Sequence, residues 1–406
     1  VYIPKVYDGR NKTFWFFGFQ KLIEKKIATV TTTVPDAAMF TGDFNFPGSR
    51  ERVNPIFDPI TTRQLPGQGW VRDPFPANRV PVARFDPVAR KVLADNPWHT
   101  SNQPGTYNAN GPRDNYLANE YALVYFDDYS MRLDHQFNPN FKIYGSYTYN
   151  FTSGLGRPWN VRLLDYDGAA GFNTPFEQHN ASTGKTWVIS PTMINDARVG
   201  FYRRWSERFS YSQGKNYGQV LGIPNISGAL FPGLGSGDRN GPDSLYGLSG
   251  NNPFRNIGET VSFRDDLTMI HGKHAFKMGY ELLRYRLNAT NTGRVSGQFQ
   301  FNGMTAGLQP DGLGANQAAT GNTFAGFLVG SVRLAQFDGE LASWLPRSSI
   351  HSFYFQDDWK FSPTITFNLG LRYSNESPFT TKYGQMSNFD PNARDDVRPG
   401  AVGAIV

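Results

Sequence analysis

The sequence predicts an all-β protein, a partial antiparallel up-and-down transmembrane β-barrel of about nine long strands. Apolar and polar residues alternate with period two over long stretches. The connections between these stretches are by turns very short and very long. No run approaches the roughly eighteen apolar residues of a membrane helix, yet the aromatic content is 15% and the charged content only 18%.

Alternation is clearest from His351 to Ser374. Phe353, Phe355, Trp359, Phe361, Phe367, Leu369, Leu371 and Tyr373 occupy odd positions, and Gln356, Asp358, Lys360, Asn368 and Arg372 even ones. Ser362-Pro363-Thr364 supplies the turn, since proline fixes φ where no ladder donor is needed. The same device recurs along the chain. Lys12 to Gln20 reads as a short aromatic strand; hairpins follow from Asp128 to Phe151 around Asn138-Pro139-Asn140, from about Lys185 to Phe209 around Ser190-Pro191-Thr192, and from Glu259 to Leu287 around His271-Gly272-Lys273.

Between hairpins lie segments rich in Gly, Pro and Asn: 28–117, 213–257 and 288–346. They are expected to be external loops of one barrel domain spanning 1–406. The first carries a helix signal from Phe85 to Ala94, with Asp86 as N-cap and Pro87 at the first helical position. Gln298 to Gln300 reads as a short strand and Thr323 to Val329 as a brief helix, whereas the glycines at 233, 235 and 237 suggest a flexible loop. Short turns on one rim and long loops on the other are the pattern of an outer-membrane barrel.

In such a barrel Arg132, Lys142, Arg198, Arg264, Lys360 and Arg372 face the lumen, while Phe353, Phe355, Trp359, Phe367, Leu369 and Leu371 face lipid. Three acidic pairs strain this pattern: Asp127-Asp128, Asp265-Asp266 and Asp357-Asp358. The second Asp of each can pair on the polar face with Arg132, Arg264 or Lys360. The first points outward, where a carboxylate is costly, so a β-bulge, an interfacial position or bound calcium is expected there.

The net charge is +6, but Lys and Arg are scattered, so nucleic acid is not an expected partner. The chain has no cysteine, which excludes disulfides, thiolate catalysis and zinc-thiolate sites. Gly184-Lys185-Thr186 is similar to the end of a phosphate loop, but His179 stands where the earlier glycine is required. His271 and His274 flank a turn without further metal ligands and read as solvated. No nucleophile context is present, so neither enzymatic chemistry nor a cofactor is expected. Val1 is not methionine, and both ends are expected to be cuts in a longer protein.

Several motifs together resemble the barrel region of Oar-like TonB-dependent receptors. They are Lys12-Thr-Phe-Trp-Phe-Phe-Gly, Thr33-Val-Pro-Asp-Ala-Ala-Met39 with Gly42-Asp43-Phe44, Arg84-Phe-Asp-Pro-Val-Ala-Arg90, Gly272-Lys-His-Ala-Phe-Lys-Met-Gly279, and Gln356-Asp-Asp-Trp359 through Asn368-Leu-Gly-Leu-Arg-Tyr373. The resemblance spans nearly the whole chain. It implies a bacterial outer-membrane barrel of about 22 strands, an N-terminal plug, and energy delivered through TonB. Neither plug nor TonB box is recognisable here, so TonB would be met through a missing N-terminal region. The implied function is capture of a ligand by external loops and energised uptake through the lumen, with outer-membrane lipid as the surrounding partner. A passive porin or adhesin-type barrel and a soluble secreted carbohydrate-binding module are the alternatives.

Overall fold

The computed structural model describes residues 1–46, 53–67, 69–154, 172–210, 212, 214–226, 230–235, 245, 253–291, 293–308, 320–338, 343–394, 400 and 402–405. Among them, nine long strands form one antiparallel sheet in sequence order. They are β1 (Thr13–Thr32), β2 (Tyr116–Asn138), β3 (Phe141–Gly154), β4 (Phe176–Ser190), β5 (Met193–Ser210), β6 (Phe254–His271), β7 (His274–Asn291), β8 (Pro346–Ser362) and β9 (Ile365–Glu376). Each tight turn joins adjacent antiparallel strands, and each long connection also returns to the neighbouring strand. The sheet is not closed on itself: β1 and β9 are its outer members.

Three of the four tight turns share one chemistry. Asn138, Ser190 and Ser362 each precede a proline, and each side-chain oxygen accepts from the backbone N–H two residues on, at 2.9, 3.3 and 3.3 Å. A register shift marks the strand pair just before each of them. The fourth turn uses Gly272 at φ 58°, and its flanking residues His271 and His274 pair directly.

Strand lengths depart from expectation on the long-loop side. β1 runs on to Thr32, β2 starts at Tyr116 rather than Asp128, and β4 starts at Phe176 rather than Lys185. In these extensions period two fades: Leu22 and Ile23 are both apolar, and Lys25 and Lys26 follow at once. A strand that rises out of an apolar band no longer needs one apolar face, so backbone pairing outlasts the pattern.

The core of buried hydrophobic side chains lies outside the sheet but for Ala118 of β2. Residues from the three long connections pack together, including Met39, Phe44, Ile56, Leu221, Leu234 and Phe324. Helix α1 (Ala37–Phe40) is capped by Asp36, and α2 (Pro87–Asp95) by Asp86, whose carboxylate accepts from Val88 N at 2.8 Å. The short helices α3 (Tyr217–Leu221) and α4 (Thr323–Leu328) complete the module, and every residue of α4 is buried. Backbone bonds stitch the connections together: Asp86 N to Leu328 O at 2.7 Å, Phe57 N to Thr305 O at 2.8 Å and Gly321 N to Pro55 O at 2.8 Å. Arg72 adds two bonds, to the carbonyls of Met304 and Ala306, both at 2.9 Å.

The reading of 233–237 as a flexible loop is therefore corrected for its described part. Gly233 and Leu234 are buried and pair in parallel with Gln298 and Phe299. Leu234 belongs to the shared core, and residues 236–237 lie outside the described set. Gly42-Asp43-Phe44 is structural as well. Gly42 takes φ 81° against the Val80 carbonyl, Asp43 pairs with Arg79, and Phe44 enters the core.

Candidate functional site

One face of the sheet is polar from β2 to β9, and ladder register shows how it is assembled. Asp134, Tyr144, Gly184, Arg198, Arg264, Glu281, Ser352 and Ser374 stand in one row across eight strands. The next row toward the tight turns carries Gln136, Lys142, Thr186, Asp196, Asp266, Gly279, Tyr354 and Arg372. Arg132 and Lys360 share the face at other levels, so all six cations named from sequence lie on it.

Asp266 is the most enclosed carboxylate of this network, at 8% exposure. It accepts from Arg264 at 2.7 Å and from the Tyr354 hydroxyl. Glycine makes the second contact possible: Tyr354 lies across Gly279, where any Cβ would clash with its ring. Tyr144 lies across Gly184 in the same way, and Arg132 stacks on Tyr144 at 4.4 Å. Arg372 reaches Glu281 at 2.8 Å, and Thr186 donates to Asp196 at 2.6 Å. The result is a series of local charge-assisted bonds along one side of the sheet.

Two expected pairings are replaced. Arg132 takes Asp134, two residues along the strand at 2.7 Å, rather than Asp128, which accepts from Ser130 and Asn150. Asp358 accepts from Gln356 at 3.1 Å rather than from Lys360. Residues two apart on one strand share a face, so a long side chain can find its partner along its own strand. Glu281, Asp196 and Tyr354 were missed as network members, although the even-odd pattern that placed Arg264 places them too.

The opposite face is apolar. Phe355 packs on Phe276 with ring centroids 5.7 Å apart, Phe353 on Tyr280 at 4.9 Å, and Leu371 stands opposite Phe355. Toward the tight turns this face becomes an aromatic belt: Phe141 meets Trp187 at 6.5 Å, and Trp359 meets Phe361 at 5.2 Å and Phe367 at 5.8 Å. Leu369 differs from its neighbours in facing Asp357.

Register runs unbroken through all three acidic pairs, so no bulge turns the first Asp inward. Each finds a partner on its own face instead. Asp127 lies 3.6 Å from Lys21, Asp265 accepts from Asn195, and Asp357 bonds His274 Nδ1 at 2.7 Å. His274 is thereby not a solvated turn residue; its ring stacks between Phe276 at 5.4 Å and Trp359 at 5.5 Å. Among the described residues no group of three potential metal ligands comes together. Gly184-Lys185-Thr186 runs inside β4.

A cleft of about 750 Å³ opens on the polar face. Arg204, Ser206, Asn256, Leu287, Ala289 and Trp344 line it, and no described lining residue is acidic. Trp344 is held by paired backbone bonds to Ala289 at 2.8 and 2.9 Å, leaving its side chain half exposed. Arg204 stacks on Phe176 at 4.7 Å.

Comparison with known proteins places this geometry. A search of curated proteins returns no match. Among solved structures, the outer membrane transporter YddB from Escherichia coli is similar at 11% identity with a TM-score of 0.38. The alignment covers 65% of this chain and 29% of that one, so the chain matches less than a third of the transporter's length. Residues 3–405 match the family described as "Outer membrane beta barrel domain", and the chain belongs to that family of bacterial outer-membrane β-barrels.

Proposed function

We propose that this chain is barrel wall and loop module of an Oar-like TonB-dependent receptor, which captures a ligand outside the cell and admits it through the lumen by energised uptake. The observation that carries the reading is the division of one sheet into an ion-paired polar face and an apolar, aromatic-belted face. With lipid on the apolar side, the six cations of the polar face line the lumen. The cleft at Arg204 and Trp344 then lies where a ligand passing the loops first meets the wall. Its indole face, amide and hydroxyl suit a neutral or anionic polar ligand, because no carboxylate opposes one. The motifs resembling Oar-like receptors support TonB as the energy source.

The test uses the full-length protein in two settings. Reconstituted in vesicles, it should leave small sugars impermeant, since a plugged receptor does not leak. In cells, accumulation of its ligand should vanish when the proton gradient is collapsed. Free diffusion of sugars through the vesicles would establish a passive porin instead.

A further inference from the structure

The apolar face changes character toward the long connections. On β5 it reads Ala197, Val199, Phe201 and then Arg203; on β6, Phe263, Val261 and then Glu259. On β7, Tyr280 and Leu282 give way to Arg284 and Arg286, and on β8 Phe353 gives way through His351 and Ser349 to Arg347. Register sets His179, Arg203, Glu259, Arg286 and Arg347 in one row. Charges therefore appear at one level on four adjacent strands.

That level corresponds to the membrane's edge. Arg284 lies about eleven residues above the Gly272 turn, which at ~3.4 Å per residue and a tilt of ~40° is about 30 Å, just past an apolar band ~25 Å tall.

The charges do not balance. Arg203 lies 3.9 Å from Glu259, and Arg255, on the same face, bonds Glu207 at 2.8 Å. Arg284 and Arg286 make no described ion pair or hydrogen bond. Arg347 donates only to uncharged oxygens, those of Leu287, Pro346 and Asn288. Arg286 stands in the ladder between Glu259 and Arg347, so a single carboxylate, itself 3.9 Å from Arg203, serves this row of guanidinium groups, and Arg284 faces only Val261 and Ser349.

We infer that Arg284, Arg286 and Arg347 form a binding site for the phosphate of a lipid headgroup in the outer leaflet, a phosphorylated glycolipid whose acyl chains lie on the apolar residues beneath. The planar guanidinium fork matches phosphate oxygens bidentately, and an anion between Arg286 and Arg347 turns their repulsion into attraction. Continuity with the apolar strip selects an amphiphile over free phosphate: Val261 stands beside Arg284, and Leu282, Phe263 and Phe353 continue the same face toward the tight turns. This inference rests on the apolar face being the lipid face.

Binding of diphosphorylated lipid A to the detergent-purified full-length protein tests it, with dephosphorylated lipid A and inorganic phosphate as separate arms. The wild type should bind the diphosphorylated form at least tenfold more tightly than the dephosphorylated form, with inorganic phosphate unable to compete at millimolar concentration. The double variant Arg284→Gln/Arg286→Gln should lose that tenfold preference. Arg255→Gln, on the same face but farther toward the long connections and already paired with Glu207, should keep it, and Arg286→Lys should keep most of it. Equal binding by wild type and double variant, no preference for the phosphorylated form, or competition by inorganic phosphate would each overturn the inference. The orientation of the face is read independently by the arginine scan at Met278 and Gln356 described below. A normal scan with failed lipid binding removes this site alone, whereas a reversed scan removes the assignment of faces with it.

Discussion

Arginine placed at one height on either face of the sheet separates lipid from lumen. Met278 lies on the apolar face of β7 between Leu267 and Phe355, and Gln356 lies on the polar face of β8 opposite Lys277, the residue before Met278. Met278 is between five and six residues above the Gly272 turn, or about 14 Å at ~3.4 Å per residue and ~40° tilt, close to the middle of a ~25 Å band. Met278→Arg should therefore cost about 2–4 kcal/mol, the magnitude for a guanidinium against lipid near the midplane. Gln356→Arg keeps a carboxylate partner, because Gln356 already bonds Asp358 at 3.1 Å, and its only opposing charge is Lys277. A like-charge pair across a ladder costs well under 1 kcal/mol when water reaches it, so this change should be nearly neutral. Leu369 is the poorer probe despite its apolar surroundings, because Asp357 stands directly opposite and would accept an introduced arginine. Urea titrations of the full-length protein folding into phosphatidylcholine vesicles give both numbers. Equal costs, or a larger cost at Gln356, would show that the odd-even assignment of faces is inverted.

Three further outcomes are expected. Phe324→Ala removes a fully buried ring where the three connections meet, and should loosen the loop module by about 3–5 kcal/mol while leaving the sheet intact; faster proteolysis between 33 and 115 with an unchanged β-sheet circular dichroism signal would register this. Asp266→Asn weakens the partner of Arg264 and Tyr354, and because Arg264 is itself partly exposed the cost should be about 1–3 kcal/mol in denaturant midpoints rather than that of a fully buried pair. Burial and a hydrogen bond to Asp36 push the Tyr107 hydroxyl up to about 12. Since the unfolded chain ionises near pH 10 and the folded one near 12, the stability this residue contributes is complete below pH 10 and lost as pH rises through 12. Tyr107→Phe should flatten module stability across that window, and an unchanged alkaline slope would show that Tyr107 is not its source.

The sheet was legible in the sequence because a strand with one face in hydrocarbon must alternate, and because Asn-Pro-Asn, Ser-Pro-Thr and His-Gly-Lys mark its reversals. What escaped lies where the solvent asymmetry ends. From Lys21 to Thr32 the period-two pattern disappears, although the backbone still pairs with β2. The loop module escaped for a different reason. Its core joins Met39, Leu221, Leu234 and Phe324, residues as much as about 285 positions apart, each in a Gly- and Pro-rich segment with no periodicity of its own. Helix caps survive such dispersion because they are local, which is why Asp86 and Pro87 announced α2 while Gly233 and Leu234 looked like free loop.

The polar face shows a further limit, this one within regular structure. Alternation fixes which side of the sheet Arg132, Arg264 and Arg372 occupy, but not which carboxylate each one takes, because candidates two residues along the strand and one strand across lie at similar distances. Arg132 and Arg264 choose along the strand, to Asp134 and Asp266, while Arg372 crosses β8 to reach Glu281 on β7. Glycine shapes two of these contacts. With no side chain at Gly279, Tyr354 lies flat across the ladder and takes one Asp266 oxygen, leaving Arg264 the other; with none at Gly184, Tyr144 lies under the Arg132 guanidinium. A Cβ at Gly279 would displace the Tyr354 ring, so Gly279→Val should disturb the Asp266 network without altering any charged residue in it. The arrangement of charge along this wall is thus shaped in part by residues that carry none, which is why reading the charged residues alone could place them on a face but not pair them.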